Sequence, residues 1–223
     1  MIPKAFISLL FLLPLLAGAQ RADEELINWN KNKKLSWADY KGNPDPGSDA
    51  AASTTTYLSI EYKISTDEFG FMIESRFSKS RSWGRFKTDY ILSHEQGHFD
   101  IAEFFARKLY KEMRAYRFNT RTYQKDLKRI YDDILEEKEA MQNDYDRETR
   151  HSINKEKQAE WLKKIAEMLE DTKEYADYQN KPYSSPSTFL MISPRSSSFS
   201  ANLFWSTSIT NNLPSLYPPI HLL

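Results

Sequence analysis

The 223-residue chain contains no cysteine. Disulfides, thiolate-held zinc and cysteine nucleophiles are therefore all excluded. Histidine is scarce: the four are His94, His98, His151 and His221. Any metal must be held by a few imidazoles together with Asp or Glu. Net charge is missing too, because 31 Lys and Arg balance 31 Asp and Glu. That balance gives no electrostatic reason for a nucleic-acid partner. No apolar run reaches the roughly twenty residues of a membrane-spanning helix. A Gly-rich phosphate loop and a nucleophile elbow are also absent from the sequence. What remains is enough apolar residue, 40% with 14% aromatic, for one sizeable core.

The first residues read as an address. Lys4 supplies a positive start, Ala5 to Leu16 is nearly all apolar, and Ala17-Gly18-Ala19 gives the small-x-small pattern that signal peptidase cuts. Residues 1–19 are expected to be removed as a signal peptide. The mature protein is then exported, periplasmic or extracellular, with no stable membrane span after cleavage.

The body of the chain, residues 20–178, reads as one α+β domain. Tyr57, Ser59, Glu61 and Lys63 alternate with Leu58, Ile60, Tyr62 and Ile64, the period of a strand with one buried face. Thr66 to Gly70 reads as a turn, and Phe71 to Ser78 as the return strand. From about Lys87 the apolar spacing changes to three and four, through His94, His98, Ile101, Ala102, Phe105, Leu109 and Met113. Two more helical patterns follow, from about Thr122 to Tyr145 and from about Ile153 to Tyr175. Strands followed by helices argue for a small antiparallel sheet and about three helices. Residues 179–223 form a Ser/Pro-rich tail. From 181 onward it holds eleven Ser, six Pro and no Asp or Glu, so it is expected to lack regular structure.

The chemistry-bearing string is His94-Glu95-Gln96-Gly97-His98. On a helix, residues four apart lie about 40° apart around the axis and about 6 Å along it. Both imidazoles then face one cation, and Glu95 sits beside them as a base for a metal-activated water. These residues point to zinc-dependent hydrolysis of an amide. A catalytic zinc site takes a third protein ligand. His151, at the junction of two helical patterns, is one candidate, and the carboxylates of Glu136, Glu137 and Glu139 are others. Asp100 and Glu103 point about 140° to 200° away from His98 and read as supporting contacts. Tyr145 is a candidate for stabilising an oxyanion. Trp37 and Ser82-Trp83-Gly84 read as packing anchors.

Four blocks together, Leu35-Ser36-Trp37-Ala38-Asp39-Tyr40-Lys41-Gly42, the Ala- and Thr-rich strand from Ala50, Leu92 to Glu103, and Tyr145 to Ser152, resemble the DUF922 family, bacterial secreted proteins predicted to be zinc-dependent proteases. The resemblance covers about residues 28 to 175. It implies a zincin-like peptidase with His94, His98 and Glu95 at the centre of the site. His151 falls in a recurring block, which supports it as the third ligand. The substrate class implied is a peptide or protein. A metal-stabilised envelope module without turnover and an amidase of cell-wall peptides are the competing expectations.

Overall fold

The computed structural model describes residues 24–64 and 68–179, with the backbone of two further strands at 183–186 and 201–210. The expected signal segment and His221 lie outside the described residues. The architecture is α+β. In chain order it runs β1 (Leu26–Asn28), a 3-10 turn at Trp37–Asp39, β2 (Ala52–Ser53), β3 (Thr55–Ile64), β4 (Glu68–Ser78) and β5 (Trp83–Gly84). Three helices follow: α1 (Asp89–Ala115), α2 (Tyr123–Thr149) and α3 (Lys155–Asp171). A 3-10 segment, Lys173–Gln179, then leads to β6 (Tyr183–Pro186) and β7 (Ala201–Thr210).

The β3–β4 hairpin is the scaffold. Its antiparallel register runs from Thr56 opposite Phe77 to Ile64 opposite Phe69. Gly70, expected in the turn, pairs instead with Lys63 inside the ladder, so the return strand starts earlier than the sequence suggested. β1 and β6 pair with opposite ends of β4, and β7 pairs with β3. The tail therefore departs from expectation at these two segments. Its turn-rich composition hid Ala201–Thr210, whose β-branched and aromatic content suits an extended strand.

Period-two alternation puts Leu58, Ile60 and Tyr62 of β3 and Phe69, Phe71 and Ile73 of β4 into one core. The apolar stripe of α1, Ile101, Phe105, Leu109 and Met113, packs into that same core and is essentially solvent-free. Burying such a side chain is worth about 1.5–3 kcal/mol. Helix α1 begins at Thr88, whose hydroxyl accepts from the Ile91 amide at 3.2 Å, with Asp89 in the first turn. It touches the sheet, α2 and α3, so whatever its second turn carries is held from three sides.

The N-terminal segment is tied across α1 by polar contacts. Asp100 accepts from the Trp29 indole at 2.7 Å and the Lys34 ammonium at 3.0 Å. Gln96 donates to Asp100 at 2.8 Å and accepts from the Leu35 amide at 2.8 Å. Farther along, Glu103 accepts from Arg107 at 2.8 Å and from the Tyr178 hydroxyl at 2.6 Å. Asp100 and Glu103 are thus contacts to other elements, one of the roles their helical angle allowed. Among the described residues, no helix is long and apolar enough to cross a membrane.

Candidate metal centre

The second and third turns of α1 present His94 and His98 on one buried face. Both rings are almost solvent-free, and their centroids are 4.9 Å apart. Opposite them, α2 supplies Asp146. Its Oδ1 lies 3.1 Å from His94 Nε2 and 3.0 Å from His98 Nε2. One ligand atom from each of His94, His98 and Asp146 falls within 4.8 Å of the other two, and all three residues are buried. Two nitrogens and one carboxylate oxygen converging in a buried spot suit zinc or a similar first-row cation.

Each ring is oriented by a different device. His98 Nδ1 faces Gln142 Oε1 at 2.5 Å, while Gln142 Nε2 donates to the His98 carbonyl at 2.9 Å. With its Nδ1–H given to Gln142, His98 turns Nε2 toward Asp146, the orientation in which a metal-binding imidazole is fixed. Among the described residues, His94 Nδ1 has no hydrogen-bond partner. Its ring is steered by stacking on Tyr145, with centroids 4.5 Å apart and planes 22° apart.

Burial pulls the His94 pKa down. Burial acts the same way on His98, but the charge and hydrogen bond of Asp146 overcome it and lift the value to about 9. Burial raises the Asp146 carboxyl, yet the His98 charge and the hydrogen bonds from His151, His94 and His98 hold it well below the usual range. The cluster thus keeps one negative carboxylate surrounded by imidazoles that share positive charge. A divalent cation held there would take over the role of those protons.

His151 approaches the same oxygen, with Nδ1 3.5 Å from Asp146 Oδ1. It gets there because α2 unwinds into three successive left-handed residues, Arg150, His151 and Ser152, with φ of 52°, 50° and 72°. For non-glycine residues each such conformation costs about 1–2 kcal/mol, and strain of this kind collects at functional sites. The backbone is held by His151 N–H donating to the Asp146 carbonyl at 2.9 Å and Asn154 N–H donating to the Thr149 carbonyl at 2.8 Å. The His151 side chain is 65% exposed, so it stands at the rim while the other three groups lie beneath it.

These positions differ from the sequence reading at two residues. The third member of the compact trio is Asp146, where the sequence pointed to His151. The reason lies in the helix boundary: α2 continues to Thr149, so Asp146 stands on the helix and His151 beyond its end. The tyrosine assignment changes as well. The Tyr145 hydroxyl is buried and donates to the His94 carbonyl at 3.2 Å, so here it braces α1. Glu136, Glu137 and Glu139 are exposed on the outer side of α2, and Glu137 pairs with Lys108. Trp37 and Trp83 are packing residues, as expected. The Trp37 ring fills the space where Gly84 lacks a Cβ.

Gly97 has a similar role beneath the site. A Cβ there would come within 2.5 Å of the Tyr145 hydroxyl and 2.9 Å of its Cζ. Alanine gains about 1 kcal/mol in helix propensity over glycine, but overpacking costs about 1–3 kcal/mol. Gly97→Ala is expected to lower the melting temperature and weaken metal uptake. A melting temperature above that of the parent would show that Tyr145 yields freely and does not brace the histidine turn.

Glu95 follows His94 on the helix and is buried, yet it is not one of the trio. Its Oε2 accepts from the Thr54 hydroxyl at 2.6 Å. The fold and site together define an α+β protein with a helix-borne cluster of two histidines and one aspartate able to hold a metal. The family described as bacterial protein of unknown function (DUF922) matches residues 30–152, more than half of the chain, and the protein belongs to that family. Every residue of the cluster, together with Tyr40, Thr54 and His151, falls within the matched span. No curated protein and no solved structure matches the chain.

Proposed function

We propose that the protein is an exported, zinc-dependent, zincin-like hydrolase that cleaves peptide bonds, with Glu95 as general base. The observation that carries this reading is the buried His94, His98 and Asp146 trio, with a carboxylate on the same turn of α1 that stays outside it. His94, His98 and Asp146 would hold the ion. Two imidazole donors favour zinc or a neighbouring transition metal over magnesium or calcium, which prefer all-oxygen sites. A bound ion supplies Lewis acidity toward a carbonyl and acidifies water.

The chain supplies the rest. Glu95 takes the proton of the attacking water and passes it to the leaving amine. Gln142 fixes the His98 ring. His151, exposed at the rim on its left-handed turn, meets the substrate side of the centre. Export rests on the signal pattern of residues 1–19, and a peptide or protein substrate suits a hydrolase working outside the cytoplasm.

Metal analysis paired with a broad peptide-cleavage screen, before and after chelation, tests the proposal. About one equivalent of zinc is expected, with cleavage lost on chelation and restored by zinc. Purified protein that carries no metal and takes up none removes the basis for the reading. Metal that is bound and raises the melting temperature, without cleavage of any peptide, would instead indicate a metal-stabilised binding module.

A further inference from the structure

We infer that Thr54, backed by Tyr40, is the positioning residue that holds Glu95 off the metal and aims it as a base. The inference rests on the reading of Glu95 given above. A carboxylate adjacent in sequence to a ligand is itself a competent zinc ligand, so something must restrain it. Glu95 is buried, and the one hydrogen bond it makes to a described residue is from the Thr54 hydroxyl at 2.6 Å. That bond occupies Oε2 and leaves Oε1 for the proton of the attacking water.

The direction of the chain of hydrogen bonds follows from proton count. Thr54 has one hydroxyl proton, and the carboxylate can only accept it. Thr54 Oγ1 must therefore accept from Tyr40, whose hydroxyl lies 2.9 Å away. Tyr40 is itself fixed, its ring 5.0 Å from that of Phe77 and 4.9 Å from that of Trp37. Burial, then the nearby Glu95 charge, push its phenol pKa well up, so it remains a donor. Thr54 sits at the junction of β2 and β3, where the next amide, Thr55 N–H, donates to the Ser82 hydroxyl at 2.9 Å. All three members, Tyr40, Thr54 and Glu95, are buried. They come from three separate parts of the chain and join 41 residues apart at the Thr54–Glu95 bond, an arrangement suited to fixing one carboxylate rotamer.

The test uses Thr54→Val, which keeps the side-chain shape, Thr54→Ser, which restores the hydroxyl, and Tyr40→Phe, which leaves Thr54 in place. Each is prepared in full-length protein with zinc and with cobalt(II). Thr54→Val is expected to lower kcat by about ten- to a hundredfold with KM within about twofold, while Thr54→Ser stays close to the parent. Tyr40→Phe should fall between them and serves as the reading should Thr54→Val fail to fold. In the cobalt protein, loss of the Thr54 hydroxyl frees Glu95 to join the metal. The higher coordination number then weakens the visible absorption bands of Thr54→Val, and Thr54→Ser restores them. Parent-like kcat and parent-like cobalt spectra in both Thr54→Val and Tyr40→Phe overturn the inference while leaving the metal centre standing. Failure of the parent itself to take up cobalt overturns the metal-centre reading and this inference with it. A parent that binds cobalt but cleaves nothing still decides the role of Thr54 through the spectra alone.

Discussion

Glu95→Gln is expected to retain the metal and to lose turnover by about a hundredfold to ten-thousandfold, the usual contribution of a general base. Asp146→Asn is expected to do the reverse at the binding step. The amide keeps the shape of the side chain but removes the charge that faces His94 and His98 at 3.1 and 3.0 Å. Removing a partner that only orients a ligand typically costs about 10- to 100-fold in metal affinity, so loss of a ligand itself should exceed that range. Competition with a chromophoric chelator measures the affinities, and cleavage at saturating zinc measures the rates. The pair separates two jobs that lie on adjacent helices: one carboxylate holds the ion, the other handles the proton. If Glu95→Gln loses metal as severely as Asp146→Asn, Glu95 is a ligand. If both variants keep metal and rate, the cluster is not the active centre. His151→Ala adds a control, since a rim residue outside the compact trio should leave zinc affinity far less changed than Asp146→Asn.

Legibility in the sequence differed sharply between the two helices of this site. On α1 the histidines carry rare residue types at helical spacing, so residue identity and geometry agree. On α2 the decisive residue is one of 31 Asp and Glu, and nothing in its type separates it from solvated neighbours. A pattern did exist. Leu127, Tyr131, Ile134, Lys138, Gln142, Tyr145, Asp146 and Thr149 form one continuous buried stripe. Its first half is mostly apolar, and its second half turns polar where it reaches the histidines. Ending the helical pattern at Tyr145 cut that stripe one residue short of Asp146. Thr54 was hidden for a different reason. It lies in the run Ser53-Thr54-Thr55-Thr56, all four buried, where alternation carries no information, and its partner lies 41 residues away. The hairpin was readable because the sequence of β3 alternates strictly from Leu58 to Ile64. The strand at Ala201–Thr210 was not, because its neighbours are rich in Ser and Pro. Local periodicity thus revealed the elements and the histidine pair. The hydrogen-bond partners that tune the pair depend on long-range packing, which no local pattern encodes.

The same stripe on α2 contains a residue whose replacement should stabilise the protein. Lys138 is 1% exposed, and no hydrogen bond or ion pair joins its ammonium to another described residue. Burial pushes its pKa down to about 8 from the ordinary lysine value of 10.5. Below pH 8 both folded and unfolded chains hold the proton, and the folded state carries the full cost of a buried charge, about 3 kcal/mol for a shift of this size. Between about 8 and 10.5 the folded state releases the proton while the unfolded state keeps it, so the cost is relieved as pH rises. Lys138→Met keeps the length of the side chain and removes the charge. It should raise the melting temperature by roughly 6–12 °C at neutral pH, with the gain shrinking through pH 8 to 10.5 and vanishing above. Thermal melts of parent and variant across that range measure both the size and the sign. A lower melting temperature in Lys138→Met, or a gain independent of pH, would mean that the ammonium is satisfied where it lies. The charge, four residues before Gln142, would then belong to the architecture beneath the metal centre and would no longer count as a cost the fold tolerates.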